Sequence, residues 1–188
     1  MNDIKLGKYL CFLLRHSPES LDLKMDDKGY VDVNELIDKV NSTDKYKNAL
    51  NQEILDRIVI TDNKSRYAYN SEKTKIRAVQ GHSFHVDVAK ESIPPKVLFH
   101  GTSRSAYDII QVEGIKKITR DYVHLSKDAS TAFSVGMRHA KNIDNLIIIS
   151  VDTRQMINDG YKFYVAENGV WLSDYIPPQY ISNVYSMD

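Results

Sequence analysis

The chain lacks the features that mark secreted or strongly basic proteins. Its 188 residues include one cysteine, Cys11, so no disulfide forms within the chain, which favours a reducing compartment. Lys and Arg together number 25, and Asp and Glu together also number 25, so the formal net charge is zero. No overall field therefore attracts nucleic acid, and any polyanion has to be recognised by a local group of cations.

Long hydrophobic runs are missing as well. No apolar run approaches the roughly 18 residues of a membrane-spanning helix, and the first residues lack the charged-then-apolar pattern of a secretory signal. We therefore expect a cytoplasmic protein. No heptad repeat or long apolar stripe calls for a partner, so we expect a monomer. The 42% of hydrophobic residues suffice for a packed core, to which Cys11 is expected to belong.

Residues 1–90 show helical periodicity followed by a strand pattern. Leu6, Leu10, Leu13 and Leu14 recur at i, i+4, i+7 and i+8, as on one face of a helix. Similar stripes predict helices over 33–40, with Asp32 or Asn34 as a cap, and over 54–59. Residues 66–70 and 75–79 predict a hairpin. Three helices and a hairpin outline a winged helix, which is common in nucleic-acid binding but also serves protein contacts.

Pro94-Pro95 is predicted to be a linker, and residues 96–188 a second, strand-rich lobe. Helices are expected from 105 to 113, ended by Gly114, and from a Ser126 cap to about 139. The run 146–151 is wholly apolar and predicts a central strand. Five other strands are predicted at 97–100, 122–125, 163–165, 170–172 and 181–185. The fold class is therefore α+β.

Four cations stand near the ends of predicted elements. Arg15 and His16 end the first helix, Arg66 opens the hairpin, and Arg120 precedes the strand at 122–125. The planar fork of arginine matches phosphate oxygens two at a time, and histidine donates a proton near neutral pH. Brought together, the four suit a phosphate monoester. Taken singly, each arginine is more simply a solvated charge, and His16 a partner of the helix dipole.

The hairpin region combines basic and aromatic residues. Residues 64–77 contain five basic residues against one acid, with Tyr67 and Tyr69 between them. Such a pattern suits a ribose-phosphate backbone and a stacked base. The alternative is a solvated hairpin whose two tyrosines face the core, because alternation places both on one face.

Histidines and a glycine mark the second half. Gly101, between His100 and Thr102, would let a ligand approach the backbone, and His124 and Ser126 alternate onto one face of the next strand. Together these residues could line a nucleotide cleft. Zinc is the competing use of four histidines, but only two of them are close in sequence and no thiol joins them, so we expect no metal; the four are His82, His85, His100 and His124.

Taken in order, five blocks resemble the KptA-like RNA 2′-phosphotransferases, and the resemblance runs from Leu6 to about Ile181. The blocks are 13–18, 81–83, 100–102, 120–126 and 168–172. The resemblance implies a winged-helix lobe over residues 1–90 that binds RNA. It also implies an ADP-ribosyltransferase-like lobe over residues 96–188 that binds NAD+.

The resemblance further implies an activity and its residues. The family moves an internal RNA 2′-phosphate to NAD+ through an ADP-ribosylated RNA, and releases 2′-hydroxyl RNA, nicotinamide and ADP-ribose 1″,2″-cyclic phosphate. The catalytic positions fall on Arg15, His16, Arg66 and Arg120. The NAD+ positions fall on His100, Gly101, Thr102, His124, Ser126, Gly136, Arg138, Asn168, Gly169 and Val170. The expected RNA-binding residues are Lys8, Arg15, His16, Lys64, Arg66 and Arg77.

Two other functions stay open at this point. One is an ADP-ribosyltransferase that caps terminal phosphates of RNA or DNA and stops at the adduct. The other is a winged-helix binding protein without catalysis, against which the zero net charge counts. Glu167 stands near the place of the glutamate that protein-modifying ADP-ribosyltransferases use, and we expect it to be a surface residue instead.

Overall fold

A computed structural model describes residues 3–87 and 89–186. The chain divides into two compact units, Met1–Val88 and Ala89–Asp188. Both contain helices and strands, so the predicted α+β class is confirmed. Among the described residues, no helix is both long and apolar enough to cross a membrane.

Within residues 3–87, the first unit contains the three predicted α-helices and the predicted hairpin. Asp32 is the cap of the second helix, because its carboxylate accepts the Glu35 N–H at 3.0 Å. The strands form an antiparallel sheet in the order β1-β3-β2. The elements are α1 (Asp3–His16), β1 (Val31–Asp32), α2 (Val33–Asn41), α3 (Gln52–Thr61), β2 (Tyr67–Tyr69) and β3 (Lys75–Ala78), with short 3₁₀ helices at Pro18–Leu21 and Asp44–Tyr46.

The predicted apolar face of α1 forms the centre of the first core. Its four leucines are buried and pack in one cluster with residues of α2, α3 and β3. Tyr67 and Tyr69 pack against the same cluster, and Tyr67 donates its hydroxyl to the Gly7 carbonyl. The stacking role considered for the two tyrosines is therefore wrong, and their alternative role in the core is confirmed. Cys11 also packs against this core, half-buried.

The second unit is built from short strands and three α-helices within residues 89–186. A further 3₁₀ helix covers Pro178–Tyr180. The strands and α-helices of the second unit are β4 (Ala89–Glu91), β5 (Val97–Ser103), α4 (Arg104–Glu113), β6 (Ile115–Lys116), β7 (Val123–Leu125), α5 (Ala129–Ala140), β8 (Leu146–Asp152), α6 (Thr153–Asn158), β9 (Tyr164–Ala166), β10 (Trp171–Ser173), β11 (Tyr175–Ile176) and β12 (Ile181–Ser186).

Strand β8 is central, as its apolar run predicts. It lies between β12 and β5, and residues 146–151 are all buried. Ile147 and Ile149 belong to one apolar cluster, whereas Ile148 packs with Ala132 of α5 in another. A second sheet has the order β4-β9-β10-β7, and β6 pairs with β11. Both faces of β8 are thus covered, which explains why its residues do not alternate with polar ones.

Several boundaries differ from the prediction. Ser126 does not cap α5, because it is still extended and bridges Phe99 of β5; Asp128 is the cap and accepts the Thr131 N–H at 2.7 Å. Strand β5 continues through Gly101 to Ser103. Pro94-Pro95 lie inside the second unit, because β4 precedes them and pairs with β9.

Two glycines allow α5 to lie directly on β5. A Cβ atom at Gly101 would lie 1.9 Å from the Ala132 carbonyl oxygen, and one at Gly136 would lie 2.5 Å from a Leu146 methyl group. Both distances are far below van der Waals contact, and the Ala132 oxygen belongs to the backbone. The close packing of α5 on β5 therefore requires glycine at both positions.

We expect Gly101→Ala to lower the free energy of unfolding by about 3 kcal/mol, because the added methyl group has to displace α5. Urea unfolding followed by the fluorescence of Trp171, the only tryptophan in the chain, measures this in the second unit. Ser134→Ala on the exposed side of α5 is the matched control, with an expected change within about 0.5 kcal/mol. Equal unfolding midpoints for Gly101→Ala and the unmodified protein would contradict the packing role.

Candidate functional site

The last turn of α1 presents two cations in different ways. Arg15 follows the buried leucines of the helix and is itself only 9% exposed, whereas the side chain of His16 is exposed. The ring of His16 lies 5.9 Å from that of Phe12, one turn earlier. Both cations sit at the C-terminal end of the helix, where the helix dipole favours positive charge.

The segment 81–83 holds this end of α1 in place. Ser83 donates its backbone N–H to the Arg15 carbonyl at 3.0 Å, and its hydroxyl lies 3.4 Å from the same oxygen. Gly81 has a φ of +87°, and a Cβ atom there would lie 3.5 Å from Arg15 Cζ. Its backbone therefore lies against the guanidinium in a conformation that favours glycine. The sequence marked this block as part of the resemblance without showing that it positions Arg15.

The Arg15 guanidinium is buried without full hydrogen bonding. Within the described residues, its Nε and Nη2 atoms are buried and have no hydrogen-bond partner. Burial lowers the pKa of Arg15, and the nearby positive charge of Arg66 lowers it as well. A buried, incompletely bonded cation is costly. An anion bound at these N–H groups would remove much of that cost.

Arg66, the other catalytic arginine expected in the first unit, lies just before β2. Its Nη1 donates to the carboxylate of Asp62, which also accepts the Arg66 backbone N–H. The Arg66 side chain is 32% exposed, whereas that of Asp62 is 6% exposed. A guanidinium has five N–H donors, so this pairing uses only part of the capacity of Arg66. The charge of Arg66 lowers the pKa of Arg15, so the two guanidiniums interact electrostatically within the first unit.

A cleft of about 430 Å³ opens beside Arg66 in the first unit. Its wall includes Lys8 of α1 and the half-buried Cys11, and its other side is formed by the end of α3 and the following turn. Two cations, Lys8 and Arg66, therefore line a space of ligand size. The lining residues are Asp3, Ile4, Gly7, Lys8, Cys11, Ile58, Thr61, Asp62, Asn63, Arg66 and Tyr67.

The remaining candidates for RNA binding differ in exposure. Lys8 and Lys64 are exposed. Arg77 is only 7% exposed; it donates to the Lys28 carbonyl at 3.1 Å and lies over the Tyr30 ring at 4.6 Å. These contacts give Arg77 a structural role between β3 and the turn before β1, because a buried guanidinium bonded to the backbone does not face a ligand at the surface.

Arg120 belongs to the second unit and is exposed. It lies in the irregular segment between β6 and β7, three residues before β7 begins. The loop position agrees with the sequence prediction that Arg120 just precedes a strand. Its catalytic role stays a prediction.

The two histidines predicted for the nucleotide cleft come together where β5 meets β7. Phe99 and Ser126 exchange backbone hydrogen bonds of 2.8 and 2.7 Å, which joins the two strands. The Nδ1 atom of His100 lies 3.0 Å from the His124 carbonyl, and that of His124 lies 3.0 Å from the Tyr122 carbonyl. A carbonyl only accepts, so each Nδ1 carries the proton, and in the neutral ring each Nε2 is an acceptor.

The other candidates for NAD+ binding occupy the surroundings of β5 and β7. Thr102 is buried on β5, and Arg138 is exposed in the last turn of α5. Gly101 and Gly136 have the packing role described above, which is different from the ligand approach that the sequence analysis gave for Gly101. These residues extend the group around His100 along β5 and onto α5.

The turn between β9 and β10 lies next to the same part of the sheet. Gly169 has a φ of +78°, and the turn is closed by the Ala166 N–H, which donates to the Val170 carbonyl at 2.9 Å. Asn168 supports it, because its side-chain oxygen lies 3.4 Å from the Val170 nitrogen. Strand β10 starts opposite Leu125, so the turn lies at the Ser126 end of β7.

Two alternatives considered from the sequence can be compared with these positions. Glu167 is exposed in the β9–β10 turn, as expected of a surface residue. His82 is buried and its ring contacts that of Phe84 edge-on at 5.6 Å. Over residues 3–87 and 89–186, no group of three or more His, Cys, Asp or Glu side chains is placed to hold a metal ion.

Comparison with known proteins gives one consistent family. Residues 1–175 match the model of the RNA 2′-phosphotransferase, Tpt1/KptA family. A probable RNA 2′-phosphotransferase of Fusobacterium nucleatum is 46% identical over 181 residues, which cover 96% of this chain and 98% of that protein. A protein of the same description from Flavobacterium johnsoniae is 48% identical over 177 residues, covering 94% and 93%. One from Nostoc punctiforme is 39% identical over 182 residues, covering 96% and 97%.

The environment of His100 predicts a pH dependence of stability. Burial lowers the pKa of His100 from its usual 6.5, the His124 carbonyl opposes this shift, and the charge of His139 adds to it. Below pH 6.5 the unfolded chain therefore binds a proton that the folded chain resists, so folding weakens as the pH falls. We expect His100→Asn, whose amide keeps a donor without titrating, to lose less stability between pH 7 and pH 5.

Urea unfolding at several pH values measures this difference, which is limited to about 1.4 kcal/mol per pH unit for one group. His85→Asn, which removes an exposed histidine from the first unit, is the matched control and should follow the unmodified protein. The same slope for His100→Asn as for the control would show that burial of His100 does not set this dependence.

Proposed function

The chain belongs to the RNA 2′-phosphotransferase, Tpt1/KptA family, and from this premise we propose that it transfers an internal 2′-phosphate of RNA to NAD+. The products would be RNA with a 2′-hydroxyl, nicotinamide and ADP-ribose 1″,2″-cyclic phosphate. An RNA 2′-phosphate of this kind is the mark left at a tRNA splice junction.

One observation carries the proposal for this chain: the Arg15 guanidinium is buried, and its Nε and Nη2 nitrogens have no partner among the described residues. Arg66 lies within electrostatic range of it. Two guanidiniums repel each other unless an anion lies between or beside them. Asp62 supplies one negative charge beside Arg66, and a phosphate dianion would supply further charge together with acceptor oxygens for the unpartnered nitrogens of Arg15.

The first step of the proposed reaction needs no general base. A phosphate monoester has its second pKa near ~6, so the dianion predominates at pH 7 and is already a nucleophile. A phosphate oxygen bonds to C1″ of the nicotinamide ribose, the bond from C1″ to the ring nitrogen breaks, and nicotinamide leaves with the electron pair. We assign Arg15 and Arg66 to binding the phosphate, because this step depends on positioning and on neutralised charge, and we propose that Arg120 takes part in the same step.

The second step releases the RNA. The 2″-hydroxyl of the ADP-ribosylated RNA loses its proton to water and bonds to phosphorus, and the bond from phosphorus to the RNA 2′-oxygen breaks. That oxygen leaves as an alkoxide unless a proton reaches it. We assign His16 to donate this proton, because its imidazole is exposed beside Arg15 at the end of α1 and a protonated imidazole is a proton donor.

The second unit supplies the residues that we propose for NAD+. NAD+ would supply the electrophilic C1″, with nicotinamide as the leaving group. The donor set fits a dinucleotide, because two imidazoles with fixed Nδ1 protons, two hydroxyls and an exposed arginine suit ribose hydroxyls, an amide and a diphosphate. The proposed residues are His100, Thr102, His124, Ser126, Arg138, Asn168, Gly169 and Val170, whereas Gly101 and Gly136 are needed for the packing of α5 on β5.

The RNA chain itself needs weaker contacts than the phosphate. Lys8 is exposed in the wall of the cleft that Arg66 also lines. Lys64 is exposed two residues before Arg66. We propose that they bind backbone phosphates, which position RNA without reading its sequence. Arg77 is left out of this proposal because its guanidinium is committed to Lys28 and Tyr30.

The direct test incubates the protein with NAD+ and an RNA oligonucleotide that carries one internal 2′-phosphate. We expect 2′-hydroxyl RNA and nicotinamide in equal amounts. Arg15→Gln and Arg66→Gln should each lower kcat/KM by at least about 10²-fold, because each removes a charged donor to the phosphate. Arg57→Gln, which changes a surface arginine paired with Asp3 in the same unit, is the control and should stay within about twofold.

His16→Ala separates the two steps. We expect this variant to release nicotinamide and to accumulate ADP-ribosylated RNA, because only the second step needs the donated proton. Cleavage of the adduct at the normal rate would rule out the role of His16. An unmodified protein that stops at the adduct would favour the phosphate-capping alternative, and one that releases no nicotinamide would favour a binding protein.

A further inference from the structure

Asp62 connects the end of α3 to Arg66 and is almost completely enclosed. It is the C-terminal cap residue of α3, and its side chain is 6% exposed. The chain turns tightly after it: Ser65 has a φ of +44° and donates its N–H to the Asp62 carbonyl at 2.9 Å. This turn brings Arg66 back over the Asp62 side chain.

Both oxygens of the Asp62 carboxylate bond to Arg66. One accepts the backbone N–H of Arg66, and the other accepts Nη1 of its guanidinium. The two bonds fix the backbone and the end of the side chain relative to the same group. An arginine side chain otherwise has several rotatable bonds, and holding it in one geometry costs conformational entropy.

The carboxylate also balances charge around Arg15. The negative charge of Asp62 raises the pKa of Arg15, whereas burial and Arg66 lower it. Two guanidiniums and one carboxylate therefore interact at the same place in the first unit. Without the carboxylate, repulsion between the guanidiniums would favour a conformation in which Arg66 turns away into solvent.

We infer that Asp62 is a positioning residue that holds the Arg66 guanidinium beside Arg15 in the geometry that receives the RNA 2′-phosphate, an inference that rests on the proposed function. Asp62 itself does not touch the substrate. Its Nη1 bond leaves other N–H groups of Arg66 for phosphate oxygens. The carboxylate thus acts on the substrate through the position of Arg66.

Asp62→Asn is the first test, because asparagine keeps the size and one acceptor but removes the charge. We expect kcat/KM for 2′-phosphorylated RNA to fall about 10²-fold, the loss typical of a misplaced binding group. The melting temperature reports whether the variant is folded. Asp26→Asn is the matched control: it weakens another pair of Asp with a cation in the first unit, the 3.3 Å contact with Lys75, away from the cleft, and should stay within about twofold.

A double-mutant cycle distinguishes positioning from a general structural role. The affinity for a 2′-phosphorylated RNA fragment, measured without NAD+, is compared in the unmodified protein, Asp62→Asn, Arg66→Gln and the double variant. If Asp62 acts through Arg66, its substitution costs at least about tenfold in affinity alone and less than about twofold once Arg66 is replaced. Equal losses in both backgrounds would overturn the inference.

Asp62→Glu extends the test to the case in which Asp62→Asn does not fold. Glutamate keeps the charge but moves the carboxylate by one methylene, so we expect an intermediate loss that again disappears in the Arg66→Gln background. Normal turnover by a folded Asp62 variant, when the unmodified protein is active, would overturn this inference and leave the proposed function intact. An inactive unmodified protein would overturn both.

Discussion

The account depends on one buried cation. Arg15 lies in the last turn of α1 with its guanidinium enclosed, and its Nε and Nη2 nitrogens have no partner among the described residues. Burying a charge without full hydrogen bonding opposes folding, so the leucines of α1 and the rest of the core have to offset it. A protein that keeps such a group has a use for it, and an anionic ligand is the use that the chemistry of a guanidinium favours.

The surroundings of Arg15 are arranged around that group. Gly81 lies against the guanidinium with a left-handed backbone, and Ser83 bonds to the Arg15 carbonyl. Asp62 places a negative charge near it and bonds to Arg66. In the second unit, the apolar strand β8 and the glycine contact between β5 and α5 provide a rigid base for His100 and its neighbours. Each unit thus uses its core to hold polar groups in fixed positions.

Many of the helices and strands, and part of the candidate site, could be predicted from local sequence patterns. The leucines of α1 recur with the 3.6-residue period of a helix, which can be counted in the sequence. The unbroken apolar run of β8 indicates a strand that is buried on both faces. The Asp32 cap likewise follows from residue type next to a helical stripe. Arg15 and Arg66 could be identified as candidates from the sequence, because an arginine at the end of a predicted helix or strand is unusual.

The errors and omissions come from contacts between residues distant in sequence. Ser126 was expected to cap α5, but a bridge to Phe99 keeps it extended. Gly101 serves the approach of a helix, and Arg77 is buried by Lys28 and Tyr30. The role of Asp62 depends on a left-handed Ser65, which residue type alone does not reveal.

The most direct measurement is a crystal structure of the protein with a 2′-phosphorylated dinucleotide. The account predicts phosphate oxygens within about 3 Å of Arg15 Nε and Nη2, the ordinary range of a charge-assisted hydrogen bond. A 2′-phosphate bound elsewhere, with no oxygen near the Arg15 guanidinium, would contradict it.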